Sequence, residues 1–518
     1  MDYLVAYMAL RHRILREIKK NSPILLIAIF FLFIRLYLTL THDNYLGVDG
    51  GAYLLSALSK MGYTAEQGFP RPPLAPGYLL TPFIYFFGLD IGYKIWSSVF
   101  SIPPIFATYC LSRIWLHRKH ALWVALFVGV DMSFSEMLVT GSLPLFSLSL
   151  LIVVITVVIK NHNLRMSNWK AGSIIIFCIP LICITNQTSF AIMLYALPVL
   201  LSALIIIKSP RILNIIPQII KLAPVMMCMI IGLLISVFFL EYYFNPELDA
   251  LIYPGPMLYL SPIWDSVYWF NIPIGLTVAI MTYKKTKSRS LKSLAVLLLI
   301  VTIITPIVSY NESVMNIPYR SRYFQFFLIY PLLGYLLFSH LWPAIHRLTY
   351  SNTFTLFFYP FIRKIKYLVL VSILLLASYE FVKTFDGQAR YSDQITPAVL
   401  AALDISGDRV IASNFSQAHW ISAILKPEPI RRISHRWSLP PSKEHYEEYK
   451  AVNCLYGLIT ECNLKQAQKY LDVDWILINE NDTLSDPGLK TKLDALNTKK
   501  WLKSTFSEND IVLYQITP

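Results

Sequence analysis

The chain has 518 residues, 55% of them hydrophobic and only 15% charged, with a mean hydropathy of +0.52. That balance excludes an ordinary soluble globular protein. The formal net charge is +14, but the basic residues fall in short loops between apolar runs, not on a soluble face interleaved with stacking aromatics, so nucleic acid is excluded as a partner.

Residues 1–22 carry Arg11, Arg13, Arg16, Lys19 and Lys20 and read as a cytoplasmic basic N-terminus. An apolar run from Pro23 to about Leu40 follows. It is long, and no small-x-small cleavage site precedes Asp43, so an uncleaved signal-anchor is expected. A crossing needs about 20 apolar residues. With that ruler, further spans are expected near 91–114, 121–138, 143–159, 171–187, 190–207, 222–240, 267–283, 293–309, 323–340 and 366–383. The total is about eleven spans. The apolar stretch Leu74–Gly88 is short and carries Pro76 and Pro82, which predicts an interfacial or re-entrant helix.

Alternate loops are rich in Lys and Arg: Arg113/Arg118/Lys119, Lys160/Arg165/Lys170, Lys208/Arg211/Lys221, Lys284/Lys285/Lys287/Arg289/Lys292 and Arg347/Arg363/Lys364/Lys366. The intervening loops are poor in such charge. This alternation places the N-terminus in the cytoplasm and everything after about Thr384 outside. The loop Glu241–Phe270 is long and rich in Tyr, Trp and Pro, so it is expected either to cover a site or to form an interfacial aromatic belt.

Past residue 383 the composition changes, with charges of both signs and many turn-forming residues. Apolar β-type runs at Arg409–Ser413, Trp475–Asn479 and Ile511–Ile516 alternate with helical patterns at Pro397–Leu403, Phe415–Leu425, Glu444–Leu458 and Leu464–Leu471. The fold class expected is therefore mainly α: a polytopic transmembrane helix bundle (23–383) with a small C-terminal extracytoplasmic α/β domain (384–518). Cys110, Cys178, Cys183 and Cys228 lie in apolar runs and read as small hydrophobes. Cys454 and Cys462 lie in the outer region and fit either a disulfide or two free thiols.

No CxxC pair, HExxH, GxSxG or Gly-rich phosphate loop occurs. Chemistry must come from ionisable groups on the outer side. Asp49 stands out, in Gly47-Val48-Asp49-Gly50-Gly51-Ala52-Tyr53, where glycines allow close approach to a ligand. The same position also suits an N-cap for a helix starting near Gly50. Asp131 and Glu136 follow at the outer end of the third span, and Arg320 and Arg322 at the start of the tenth. Carboxylates can deprotonate a hydroxyl or hold a divalent cation, and arginines grip phosphate through paired N–H groups. A polyprenyl-phosphate sugar would use all of these. The plainer readings are interfacial charge reaching water for the two acids and headgroup contact for the two arginines. Arg35, inside the first apolar run, either snorkels outward or joins the site.

The Asp49 loop, followed by Phe69-Pro70-Arg71-Pro72-Pro73-Leu74-Ala75-Pro76 before an apolar segment ending at Phe87-Gly88, resembles the first extracytoplasmic loop of GT-C glycosyltransferases. Arg320-Ser321-Arg322-Tyr323 and the C-terminal outer region extend the likeness, which is greatest to the branch of protein mannosyltransferases and the lipid A aminoarabinose transferase. The resemblance implies an inverting transfer of one sugar from a polyprenyl-phosphate-linked donor to a lipid, glycan or protein acceptor at the outer face of the plasma membrane. It implies Asp49 as the catalytic acidic residue; the chain departs from the many relatives with an Asp-Glu pair by having Asp49-Gly50, so a second carboxylate is expected from elsewhere, Asp131 or Glu136. Arg320 or Arg322 would contact the donor phosphate, and Tyr53, Arg71 and Arg35 are further substrate-contact candidates. A divalent cation (Mg2+ or Mn2+) is compatible with this chemistry but not required. The Trp-Trp-Asp-Tyr-Gly signature of oligosaccharyltransferases is absent. The competing readings are a transporter or flippase of lipid-linked sugars, which usually shows internal repeats not found here, and a noncatalytic subunit of an envelope glycan assembly complex.

Overall fold

A computed structural model describes residues 2–42, 50–62, 74–131, 138, 142–208, 215–243, 266–309, 317–345, 359–406, 410–411, 450–451, 454–455, 463–479 and 501–517. The loop centred on 244–265 and the helical pattern at 415–425 lie outside the described residues.

Helix α1 (Asp2–Leu40) sets the pattern for the bundle. Leu26, Phe30, Phe33 and Tyr37 form an exposed stripe, while Ala28, Phe31, Arg35 and Leu38 form a buried one. Both stripes repeat at helical spacing. Short helices α2 (Gly50–Lys60) and α3 (Leu74–Phe87) follow. The chain then reverses at Gly88, whose φ of +78° suits glycine, into α4 (Leu89–Phe100). A side chain at Gly92 would bring its Cβ within 2.6 Å of the Phe83 carbonyl, so the α3 and α4 backbones touch there. Helix α4 stops before Pro103-Pro104, which opens α5 (Pro103–Ser112). Together α4 and α5 make one crossing, Leu89–Ser112.

The remaining helices are α6 (Arg118–Gly129), α7 (Leu143–His162), α8 (Asn168–Thr185), α9 (Gln187–Lys208), α10 (Ile215–Tyr243), α11 (Ser266–Lys285), α12 (Arg289–Ser309) and α13 (Ile317–Leu336). A π-turn, Leu337–Leu341, extends α13. Eight helical segments among the described residues are long and apolar enough to cross a membrane, against about eleven expected from the span-length ruler. Helices α6, α11 and α12, of 12, 20 and 21 residues, occupy the other three expected positions. Helix α7 is central, buried along most of its length in the main apolar core with faces of α8, α9, α12 and α13.

Basic loops gather at one end of the bundle. Trp115 Nε1 and Asn163 Nδ2 both donate to Ser290 Oγ (3.2 and 3.3 Å), and Arg165 donates to the Ile114 carbonyl (2.9 Å). Lys221 Nζ donates to the His162 carbonyl (2.8 Å) and the Tyr335 hydroxyl to Thr286 (3.2 Å).

The other end carries the sheet. Helix α14 (Tyr359–Ser406) is continuous through the expected 383/384 boundary and leads to β1 (Val410–Ile411). After α15 (Leu464–Leu471) come β2 (Trp475–Asn479), β3 (Leu502–Glu508) and β4 (Ile511–Ile516). The strand order is β1-β2-β4-β3, with β1 parallel to β2 and the other pairs antiparallel. Side chains alternate between two layers, as a pleat requires. Leu477, Ile511 and Leu513 pack with Ala398, Ala402, Leu54 and Leu80, so this face joins α14, α2 and α3. Ile476, Ile478, Val512 and Tyr514 pack with Ala467 and Leu471 of α15 and with Ala451, Cys454 and Leu455. Cys454 is disulfide-bonded, and Cys110, Cys178, Cys183 and Cys228 are free. Cys462 lies outside the described residues.

Candidate functional site

Polar groups inside a bilayer must find partners within the protein, and α4 shows how this end of the bundle meets that demand. Its buried face is a ladder of contacts descending from the sheet end. Lys94, almost wholly buried, donates to Asp90 (2.6 Å) one turn earlier. Trp96, fully buried, meets the ring of Tyr53 on α2 edge-on at 5.7 Å. Ser97 donates to the Leu138 carbonyl (2.8 Å) and lies 3.1 Å from the Ser142 hydroxyl. Ser98 pairs with Thr39 of α1 (3.2 Å).

Arg35 closes the ladder. It sits on the inward stripe of α1 and is only 1% exposed. One guanidinium nitrogen donates to the Ser101 carbonyl and the other to the Gly129 carbonyl (3.0 Å). Ser101 is the C-cap of α4 and Gly129 the last residue of α6, so the cation meets two helix C-termini, where carbonyls lack helical partners and the dipole is negative. The Phe381 ring of α14 lies over the guanidinium at 5.9 Å. One arginine therefore joins α1, α4, α6 and α14.

Asp131 follows α6 by two residues, is 7% exposed, and accepts a hydrogen bond from the Tyr330 hydroxyl of α13. Nearer the sheet, His42 Nε2 lies 3.6 Å from the Asp386 carboxylate and its ring abuts Phe385 edge-on. The end of the bundle nearer the sheet thus holds carboxylates, cations and aromatics supplied by α2, α4, α13, α14 and the residues that follow α1 and α6.

Among the expected site residues, Arg35, Asp131 and Tyr53 belong to this assembly. Helix α2 begins at Gly50, directly after Asp49; Asp49, Arg71 and Glu136 themselves lie outside the described residues. Arg320 and Arg322 occupy the first two turns of α13, with side chains outside the described set. Arg322 is eight residues, roughly 12 Å along the axis, from Tyr330. Tyr330, Asp90, Lys94, His42 and Asp386 were not expected. The i,i+4 spacing of Asp90 and Lys94 at the start of an apolar run was the one readable signal among them. No three His, Cys, Asp or Glu side chains converge among the described residues, so those residues offer no cage for a cation.

No family sequence model matches the chain, and no curated protein sequence matches it. Solved structures do. ArnT from Cupriavidus metallidurans in the apo state superposes with a TM-score of 0.53 at 10% identity, covering 94% of this chain and 97% of ArnT. The same protein bound to undecaprenyl phosphate gives 0.51 at 10% identity, with 96% and 98% covered. The apo oligosaccharyltransferase from Archaeoglobus fulgidus gives 0.53 at 12% identity, over 87% of this chain and 69% of that protein. The chain is an integral membrane protein with the GT-C glycosyltransferase fold.

Proposed function

We propose that the chain is a membrane glycosyltransferase that moves a single sugar from a polyprenyl-phosphate donor to a lipid, glycan or protein acceptor on the extracytoplasmic face. The carrying observation is the GT-C fold matched along nearly the whole of both this chain and ArnT. The start of α2 immediately after Asp49, beside a buried assembly of charged and aromatic groups, supports the same reading.

In this reading Asp49 accepts the proton of the acceptor hydroxyl as that oxygen attacks the anomeric carbon. The bond to the lipid phosphate breaks on the opposite face, and the anomeric configuration inverts. Arg320 and Arg322 bind the phosphate, which leaves as an anion, and Asp131, held by Tyr330, supplies the second carboxylate. A divalent cation, if bound, would neutralise phosphate charge; Asp49 and Asp131 are the acids that would approach it. The outer placement of 384–518 rests on the Lys/Arg alternation and on the disulfide at Cys454, a bond suited to an oxidising compartment.

The test is turnover by the purified full chain, given polyprenyl-phosphate hexose and pentose donors, with candidate acceptors taken from mass spectrometry of lipids, glycans and proteins of a deletion strain. Transfer lost in Asp49→Asn, with expression intact, supports the enzyme. Unchanged cellular function in that variant would favour a noncatalytic subunit.

A further inference from the structure

Helices α8 and α10 pack closely at the periphery of the bundle. A Cβ on Gly172 would lie 2.6 Å from Cys228 Sγ, and one on Gly232 would lie 3.1 Å from Ile179. Beside this contact runs a groove of about 570 Å³ lined by Gly172, Ile176, Pro180 and Leu181 of α8 and Cys228 and Ile235 of α10. Ser173 also faces it, but its hydroxyl donates to the Trp169 carbonyl (3.0 Å) within the helix. The walls offer an occupant almost nothing but hydrocarbon. Both helices are spans, so the medium beside the groove is lipid.

The groove has a polar end. Asn168 and Trp169 line its mouth, and Trp169 is 82% exposed, as interfacial anchors are at headgroup level. Lys170 follows, exposed. On α10, Lys221, Cys228 and Ile235 recur every seven residues and share one face, which sets Lys221 below the groove with its ammonium half-buried on the His162 carbonyl. The segments 160–170, 208–221 and 284–292 at this end contain Lys and Arg but no Asp or Glu. Those three segments supply no carboxylate to balance their charge.

We propose that this groove binds one acyl chain of an anionic phospholipid whose headgroup lies at Lys170 and Lys221, in the leaflet at the basic end of the bundle. The lining from 168 to 184 extends roughly 24 Å along α8, more than the ~15 Å half-thickness of a hydrocarbon core, so an extended chain entering at the mouth is accommodated. This end is opposite the sheet, so the occupant is distinct from the sugar donor of the proposed reaction.

The experiment uses the full chain in nanodiscs containing phosphatidylglycerol with a photoreactive acyl chain, and maps crosslinks by peptide mass spectrometry. Label should concentrate on 172–184 and 228–235. Ile176→Trp, which fills the groove, should remove that label, and Lys170→Gln should reduce it about fivefold, the share of one lysine at a charged membrane surface. A matched phosphatidylcholine probe should label weakly. Label spread evenly over the lipid faces of α1, α8, α10 and α14, indifference to Ile176→Trp, or equal labelling by phosphatidylcholine would each overturn the proposal. So would displacement by polyprenyl phosphate at concentrations where unlabelled phosphatidylglycerol has no effect. If Ile176→Trp fails to fold, Leu181→Trp gives the same reading, and the lipid competition needs no substitution at all.

Discussion

Tyr330 donates its phenol hydrogen to the carboxylate of Asp131, joining residues 199 positions apart. A hydrogen bond to a charged group typically contributes about 1.5–3 kcal/mol. Tyr330→Phe should lower stability by that order, and Asp131→Ala, which removes the acceptor, by at least as much. Because both remove the same contact, the double variant should lose little more than Asp131→Ala alone. Denaturant unfolding of the three variants in detergent micelles checks this, and fully additive losses would show that the pair is not coupled.

Arg35 neutralises the C-termini of α4 and α6 together. Each partly buried helix-end contact contributes up to about 2 kcal/mol, so Arg35→Met should lose roughly twice that or fail to accumulate. Arg35→Lys keeps the charge but not the fork that reaches two carbonyls, and should fall between. Thermal stability followed by size-exclusion chromatography ranks the three proteins. Equal stability of the Lys and Met variants would show that charge contributes nothing here.

A positioned general base accounts for roughly 10²–10⁴ in rate, so Asp49→Asn should lose at least that much turnover while still binding donor lipid. The product of the unsubstituted enzyme should carry the inverted anomeric configuration, read by NMR. A retained configuration would remove the single-displacement mechanism. Activity lost in EDTA and restored by Mn2+ or Mg2+ would make Asp49 a metal ligand instead of a base.

Replacing both Arg320 and Arg322 with Gln should raise the KM for donor or abolish turnover, and replacing both with Lys should recover only part of it, because lysine lacks the planar two-pronged donor. Steady-state kinetics with varied donor separates the cases. Full activity of the double Gln variant would reduce these arginines to headgroup contacts.

A cysteine introduced at Ser485 should react with a membrane-impermeant thiol reagent in intact cells, because the Lys/Arg alternation places that segment outside. Protection from the reagent would reverse the proposed orientation of the C-terminal domain.

Strands β2 and β4 lie where the apolar runs at 475–479 and 511–516 placed them, because both faces of each are covered and, apart from Asn479 and Gln515, their side chains are apolar or aromatic. Strand β3 was not expected. Among the described residues it pairs only with β4, at the sheet edge, and Lys503, Ser504, Thr505 and Ser507 leave it mostly exposed and without an apolar pattern. The break within the crossing at 89–112 was passed over by the span-length ruler, although Pro103-Pro104 marked it. The direction of Arg35 was unreadable for a different reason. In a membrane helix the lipid-facing stripe (Leu26, Phe30, Phe33) is as apolar as the inward one (Ala28, Phe31, Leu38), so the periodicity that orients a soluble helix is absent. The partner of Asp131 was one tyrosine among 32, and nothing local to Tyr330 distinguishes it.

The Arg35 contacts also set an order of events during synthesis. Its partners, Ser101 and Gly129, lie 66 and 94 residues later in the chain. At about 5–20 residues per second, the second partner emerges roughly 5–20 s after Arg35 itself. Until then the first helix holds a lone cation deep in an apolar segment, with an insertion penalty of about 2.5–3.5 kcal/mol for that residue. The first helix should therefore linger beside the insertion machinery, or keep Arg35 near water, until α4 and α6 arrive to neutralise it, so the bundle assembles around a charge that its earliest segment cannot accommodate alone.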